Sequence, residues 1–221
     1  MPEAPLSNSE KPIRGLNKFE RIKLVKILGL NTRDVVLITS HNDWGEYQPW
    51  LKQFDKYTIS AFKNTPTVGI DPYFAVIKVA DFENHRKKLL DEEWNIIVSE
   101  GVDPKEALFA GTILRDGDLS EVDVSCGAGA VVRDVTHNGK IDKHFAVDGL
   151  ESSGDKLIDE ALGKLWELEA KKPYLPTLRQ VIYEFSYYKT KVGHKRENAI
   201  FWEITGFSNL GDIGISLQDL N

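Results

Sequence analysis

Residues 96–142 read IIVSEGVDPKEALFAGTILRDGDLSEVDVSCGAGAVVRDVTHNGKID. An apolar strand ends at Glu100, and a loop leads to two strands joined across Arg115-Asp116-Gly117-Asp118. A Gly-Ala-Gly bend at 127–129, a further strand and the turn His137-Asn138-Gly139-Lys140 follow. Asp-Gly and Asn-Gly pairs supply the positive φ that tight hairpins require, so this stretch predicts an antiparallel sheet. Such a sheet is either an ordinary one or one wall of a ligand cleft, and the residues it carries have to decide between the two.

Working outward, NKFERIKLVKILGL (17–30) has the apolar spacing of a helix, with Phe19, Ile22, Leu24, Val25, Ile27 and Leu28 on a wide face, Asn17 as its cap and Gly29 as its stop. Strands are expected at 34–40, 56–63, 74–80 and 95–100, and helices at 43–54 and 81–94, the second capped by Asp81. Pro49 fits the first of these helices only in its first turn or at a break. Beyond the quoted stretch, 151–172 is a long amphipathic helix with Leu157, Ile158, Ala161, Leu162, Leu165, Trp166 and Leu168 inward, closed by KKPYLP. The strands QVIYEFSYY (180–188) and NAIFWEITGF (198–207) then form a hairpin around a basic turn. The expected class is α+β, with mostly antiparallel sheets in two lobes: a loose arm over 1–14, a small lobe over 15–94 and a larger sheet lobe over 95–221. A cleft between such lobes is a common ligand position.

The 221 residues are 41% hydrophobic and 28% charged, enough to bury a core, and the formal net charge of −6 offers no general basic field for nucleic acid. Nucleic acid is therefore not an expected partner. Cys126 is the single cysteine, which excludes an internal disulfide and a cysteine-based zinc site. No apolar run approaches membrane-spanning length, and the amino end lacks the apolar core of a secretory signal, so a cytoplasmic protein with no membrane partner is the expectation. His41, His85, His137, His144 and His194 show no metal-ligand spacing, and Cys126 has no evident base.

Glu184 and Glu203 stand among large apolar residues on the two closing strands. On one face they could share a divalent ion, since Mg²⁺ binds through one or two carboxylates plus substrate phosphates; two outward acids on a wet sheet face explain them equally well. Glu100 ends its strand before a bend whose backbone could meet a planar base. Lys63 closes one strand, Lys78 interrupts FAVIKVA, and Arg133 follows the glycine bend; each could bind phosphate, and each could be an ordinary surface cation. Asp123, alternating with Val122 and Val124, reads either as a metal carboxylate or as an exposed strand residue. The bend itself lacks the lysine and glycine spacing of a phosphate loop.

With these residues in view, VSEGVDP, AGTILRDGD, EVDVS and CGAGAVV, together with IYEFS and FWEIT, resemble the ATP-grasp nucleotide-binding domain, in the version found in phosphoenolpyruvate synthase and pyruvate phosphate dikinase. The chain departs from that version at Phe62-Lys63, where the family carries arginine, and in CGAGAVV, which lacks the family's acid. The resemblance implies ATP between the lobes, with Lys63 or Lys78 on the phosphates, Ser99, Glu100, Gly101 and Val102 along the adenine, and Glu184 and Glu203 on Mg²⁺. It implies a ligase or phosphotransferase whose acceptor is a carboxylate or a partner protein. The alternative is a catalytically reduced subunit that senses nucleotide or serves assembly without turnover.

Overall fold

The computed structural model describes residues 11–64, 71–172 and 180–220. Helix α1 (Lys18–Leu28) forms where the pattern places it. The Asn17 side chain accepts from the Glu20 N–H at 2.9 Å while the Glu20 carboxylate takes the Asn17 N–H at 2.7 Å, a reciprocal cap that satisfies two end donors. Gly29, at φ +89°, stops the helix in a left-handed turn. Ile22, Leu24, Val25 and Leu28 are buried, whereas Ile27 is exposed. Of the arm expected to be loose, residues 11–14 are pinned: Ile13 is fully buried and donates its N–H to Ser208 O at 2.9 Å. The rest of that arm lies outside the described residues.

One compact unit is Arg33–Pro104. It holds β1 (Val35–Ile38), α2 (Trp44–Leu51), β2 (Lys56–Phe62), β3 (Tyr73–Lys78), α3 (Val79–Asp91) and β4 (Asn95–Glu100). The strands form an antiparallel sheet in the order β1-β4-β2-β3. Its core gathers Ile38, Leu51, Tyr57, Ile59, Ala61, Ile77, Phe82, Leu89, Ile96 and Val98. Pro49 stands inside α2, two residues before its end, rather than in its first turn. β4 was expected to open the larger lobe; it lies instead between β1 and β2. The reason is in its composition, since Ile96, Ile97 and Val98 are all fully buried and a strand apolar on both faces belongs in a sheet interior. Lys78 ends β3 instead of interrupting a strand, and α3 begins at Val79, earlier than an Asp81 cap would give.

The other unit combines the described residues up to Thr32 with those from Lys105 onward. It adds β5 (Ala107–Asp116), β6 (Leu119–Cys126), α4 (Val132–Thr136), β7 (Lys143–Asp148), α5 (Lys156–Lys171), β8 (Val181–Val192) and β9 (Glu197–Gly206). All neighbours in the sheet β7-β6-β5-β8-β9 are antiparallel. α5 lays Ile158, Ala161, Leu162, Leu165 and Leu168 into a core with Phe109, Ile113, Val122, Tyr183, Phe185 and Ile204. Leu24, Val25 and Leu28 join the same core, so α1 packs with this unit and not with a lobe over 15–94.

The Asp116-Gly117 hairpin forms as expected, with Gly117 at φ +60°. The segment after the glycine bend does not form a strand. Gly127 and Gly129 take positive φ, the Asp134 carboxylate accepts the Val131 N–H at 3.2 Å, and the chain enters α4, so Asn138-Gly139 ends a helix instead of turning a hairpin. The valines there carry a strand propensity that the cap and the glycines override. Gly193–Arg196 makes the β8–β9 turn, shorter than the basic segment suggests. The closing KKPYLP segment falls mostly outside the described residues.

Candidate functional site

Register alone assembles the most distinctive feature of the larger unit. His144 of β7 stands opposite Asp123 of β6, Asp123 opposite Thr112 of β5, Thr112 opposite Glu184 of β8, and Glu184 opposite Glu203 of β9. Directly opposed residues of antiparallel strands point to the same face. One transverse row of five polar side chains therefore crosses the whole sheet. The opposite face carries Ile113, Val122, Tyr183 and Phe145 against the core, so the row looks away from α5.

The pleat explains why an acid can stand at Glu184. β8 alternates buried Tyr183 and Phe185 with the half-buried Glu184, and β9 does the same with Ile204 beside Glu203. A bulge at this point pairs Glu184 with Glu203 but Phe185 with Phe201, leaving Trp202 as the extra residue. Trp202 Nε1 donates to Ser186 Oγ at 2.8 Å, which ties the bulge to β8. Opposed side chains have Cβ atoms about 5 Å apart, and two carboxylates so placed repel unless cations intervene.

Helix α1 supplies cations to one of the two. Arg21 Nε donates to Glu203 Oε2 at 3.0 Å, its Nη2 stands 3.0 Å from the same oxygen, and Lys18 Nζ lies 3.6 Å from Oε1. The Glu203 side chain is 12% exposed and that of Arg21 26%, so the pair is partly shielded from bulk water. At the other end of the row the His144 ring nitrogen Nδ1 meets Asp123 Oδ1 at 2.7 Å, in the open. Lys18, Arg21 and His144 are site residues that sequence reasoning missed or set aside. The pattern Lys18-x-x-Arg21 on one helix face was the available signal for the first two.

Among the described residues no group of three or more His, Cys, Asp or Glu side chains could hold a metal ion. Among the described residues, Glu184 and Glu203 are the two opposed carboxylates of this sheet face, a hard oxygen donor set. That set suits Mg²⁺, which keeps several waters and takes its other ligands from substrate phosphates.

The remaining sequence candidates belong to both units. Arg133 lies on α4 in this unit. Lys63, Lys78 and Ser99–Val102 belong to the Arg33–Pro104 unit. Lys63 Nζ sits 4.9 Å from the centre of the Trp94 ring, and Lys78 is exposed beside Phe74, Asp81 and His85. Gly101 gives its N–H to Lys56 O at 2.8 Å, and a Cβ there would meet the Lys56 backbone at 2.8 Å, so the chain crosses β2 closely at the end of β4. Burial pushes the Cys126 thiol above its ordinary pKa, which fits a sulfur without a nucleophilic role.

No protein-family model and no curated protein matches the chain. Solved structures do. The ADP complex of purK, an N5-carboxyaminoimidazole ribonucleotide synthetase, aligns with a TM-score of 0.50 at 13% identity over 88% of this chain and 45% of its own. D-cycloserine synthetase DcsG aligns with a TM-score of 0.47 at 11% identity, over 91% of this chain and 65% of its own. The macrocyclase MdnC from Microcystis aeruginosa, bound with its precursor peptide MdnA, gives 0.46 at 11% identity, over 91% and 53%. This chain therefore spans about half to two thirds of the length of each. No helix among the described residues is long and apolar enough to cross a membrane. At these identities the likeness speaks for the fold alone: the chain is an α+β protein with a fold similar to that of the purK synthetase.

Proposed function

We propose that this chain is a compact ATP-grasp ligase domain that binds ATP with Mg²⁺ and activates a carboxylate. The observation that carries the reading is the face-to-face register of Glu184 and Glu203 on the polar side of the five-stranded sheet. Held opposite each other, the two carboxylates would take a hydrated divalent ion that links them to a triphosphate. When bound, the ion supplies charge neutralisation at the phosphates, and the protein's part is to fix the two acids. The acceptor carboxylate would attack the γ-phosphorus, forming an acyl phosphate and releasing ADP. The narrower resemblance to phosphoenolpyruvate synthase, with a protein acceptor, is supported by sequence motifs alone.

The test is thermal unfolding with and without ATP and Mg²⁺. Binding is expected to raise the melting temperature, and Glu184→Gln combined with Glu203→Gln to abolish the rise. A wild-type protein whose melting ignores Mg·ATP would refute the proposal.

A further inference from the structure

We infer that Arg21 and Lys18 are positioning residues that set the divalent-ion affinity of the Glu184–Glu203 pair. The inference rests on the ion reading above and extends it to α1. Arg21 and Lys18 lie one helical turn apart, and between them they engage both oxygens of Glu203, at 3.0 Å and 3.6 Å. A third Arg21 nitrogen, Nη1, donates to Leu16 O at 3.1 Å, which fixes the guanidinium against the start of the helix. Glu203 is thereby held in place opposite Glu184, and two positive charges already occupy the side of it that faces α1.

An incoming dication must share Glu203 with these charges or displace them. Either course costs Coulomb energy, because the ion and the guanidinium repel across a few ångströms in a partly shielded site. The clamp works in both directions. It offsets the charge of one of the two facing carboxylates, and it weakens the hold of the pair on a bare divalent ion, so that an ion arriving with its own negative phosphates is favoured over a bare one.

Mn²⁺ titration of the nucleotide-free protein, followed by the electron paramagnetic resonance of the free ion, tests this. Arg21→Gln removes the charge and is expected to tighten Mn²⁺ binding on the order of tenfold. Lys18→Gln should tighten it less, since its contact is longer, and Arg21→Lys should stay near the wild type. Loss of a merely structural contact would lower the melting temperature without tightening ion binding. Unchanged or weakened Mn²⁺ affinity in both Arg21→Gln and Lys18→Gln, with the wild type binding measurably, overturns the inference and leaves the ion site standing. Should the wild type bind no Mn²⁺, or bind it equally well as Glu184→Gln, the ion site itself falls and the inference with it.

Discussion

Arg115 of β5 and Glu169 of α5 form a two-pronged ion pair under the sheet, Nε to Oε1 at 2.9 Å and Nη2 to Oε2 at 2.8 Å. The remaining nitrogen Nη1 donates to Asp118 O and Ser120 Oγ, both at 2.8 Å, so the guanidinium ties the first hairpin to the long helix. Both side chains are almost wholly buried. Glu169→Gln leaves that guanidinium without its counter-charge and is expected to cost about 3–5 kcal/mol in urea unfolding. Replacing both partners, Arg115→Met with Glu169→Leu, should cost much less than the sum of the two single changes. Additive costs would show that the pair does not act as a unit.

The β8–β9 turn is clasped by the segment that leads out of α1. Asn31 Nδ2 donates to Val192 O at 3.0 Å and to Ala199 O at 2.8 Å, and its Oδ1 accepts the Lys195 N–H at 2.9 Å. Gly193 turns under this side chain at φ +75°, where a Cβ would stand 2.6 Å from Asn31 Oδ1. Gly193→Ala therefore combines backbone strain with a clash, and about 2 kcal/mol or more of destabilisation is expected. Asn31→Ala leaves two carbonyls and an N–H without their partner and should approach the same cost. Hydrogen exchange at Lys195, fast in Asn31→Ala and slow in the wild type, would locate the effect at the clasp; a slow amide in both would place it elsewhere.

Helices and hairpins closed by a local signal were readable from sequence, because their determinants lie within a few residues. The Asn17 cap, the Gly29 stop, the Asp116-Gly117 turn and the stripe on α5 are of this kind. Two assignments failed where a distant partner decides. β4 enters the four-stranded sheet because both of its faces are covered, and α1 joins the larger core through Leu24, Val25 and Leu28. Sequence alone could not state either fact, since an apolar stripe does not name the surface that it meets. The same limit applied at the site. Glu184 and Glu203 could be singled out by their apolar neighbours, but the row joining them to Thr112, Asp123 and His144 exists only through the registers of four strand pairs. Lys18 and Arg21 lie over 160 residues from Glu203 in the chain, and nothing local links them to it.

Gly111 marks the closest approach in the middle of that sheet. A Cβ built there would stand 1.9 Å from Asp123 O and 2.8 Å from Val124 Cα, so β5 and β6 could keep their register only by separating. Asp123 belongs to the polar row, and moving its backbone would also move its contact with His144. Gly111→Ala is expected to cost more than about 3 kcal/mol, if the protein accumulates in folded form at all. Gly163, on α5 with open space around its Cβ position, is the control: Gly163→Ala should be neutral or stabilise by up to about 1 kcal/mol. Equal behaviour of the two variants in thermal unfolding would contradict the close approach.

Asp155 gives the fold part of its acid sensitivity. Lys143 Nζ lies 2.9 Å from Asp155 Oδ2, while Oδ1 caps α5 by accepting from the Leu157 N–H at 3.1 Å. The Lys143 hydrogen bond, helped by the cap and opposed by partial burial, holds the carboxyl below its ordinary range. A group whose folded pKa is depressed adds stability above its unfolded value, near 4, and that contribution is lost as the pH falls through the folded value. Asp155→Asn keeps a capping oxygen but removes the charge. The variant should therefore be less stable than the wild type at pH 7, by about 1 kcal/mol or less, and the difference should close as the pH drops below about 4. Urea unfolding of both proteins between pH 7 and pH 3 measures this, and a difference that persists unchanged at pH 3 would show that the Asp155 charge contributes nothing to stability.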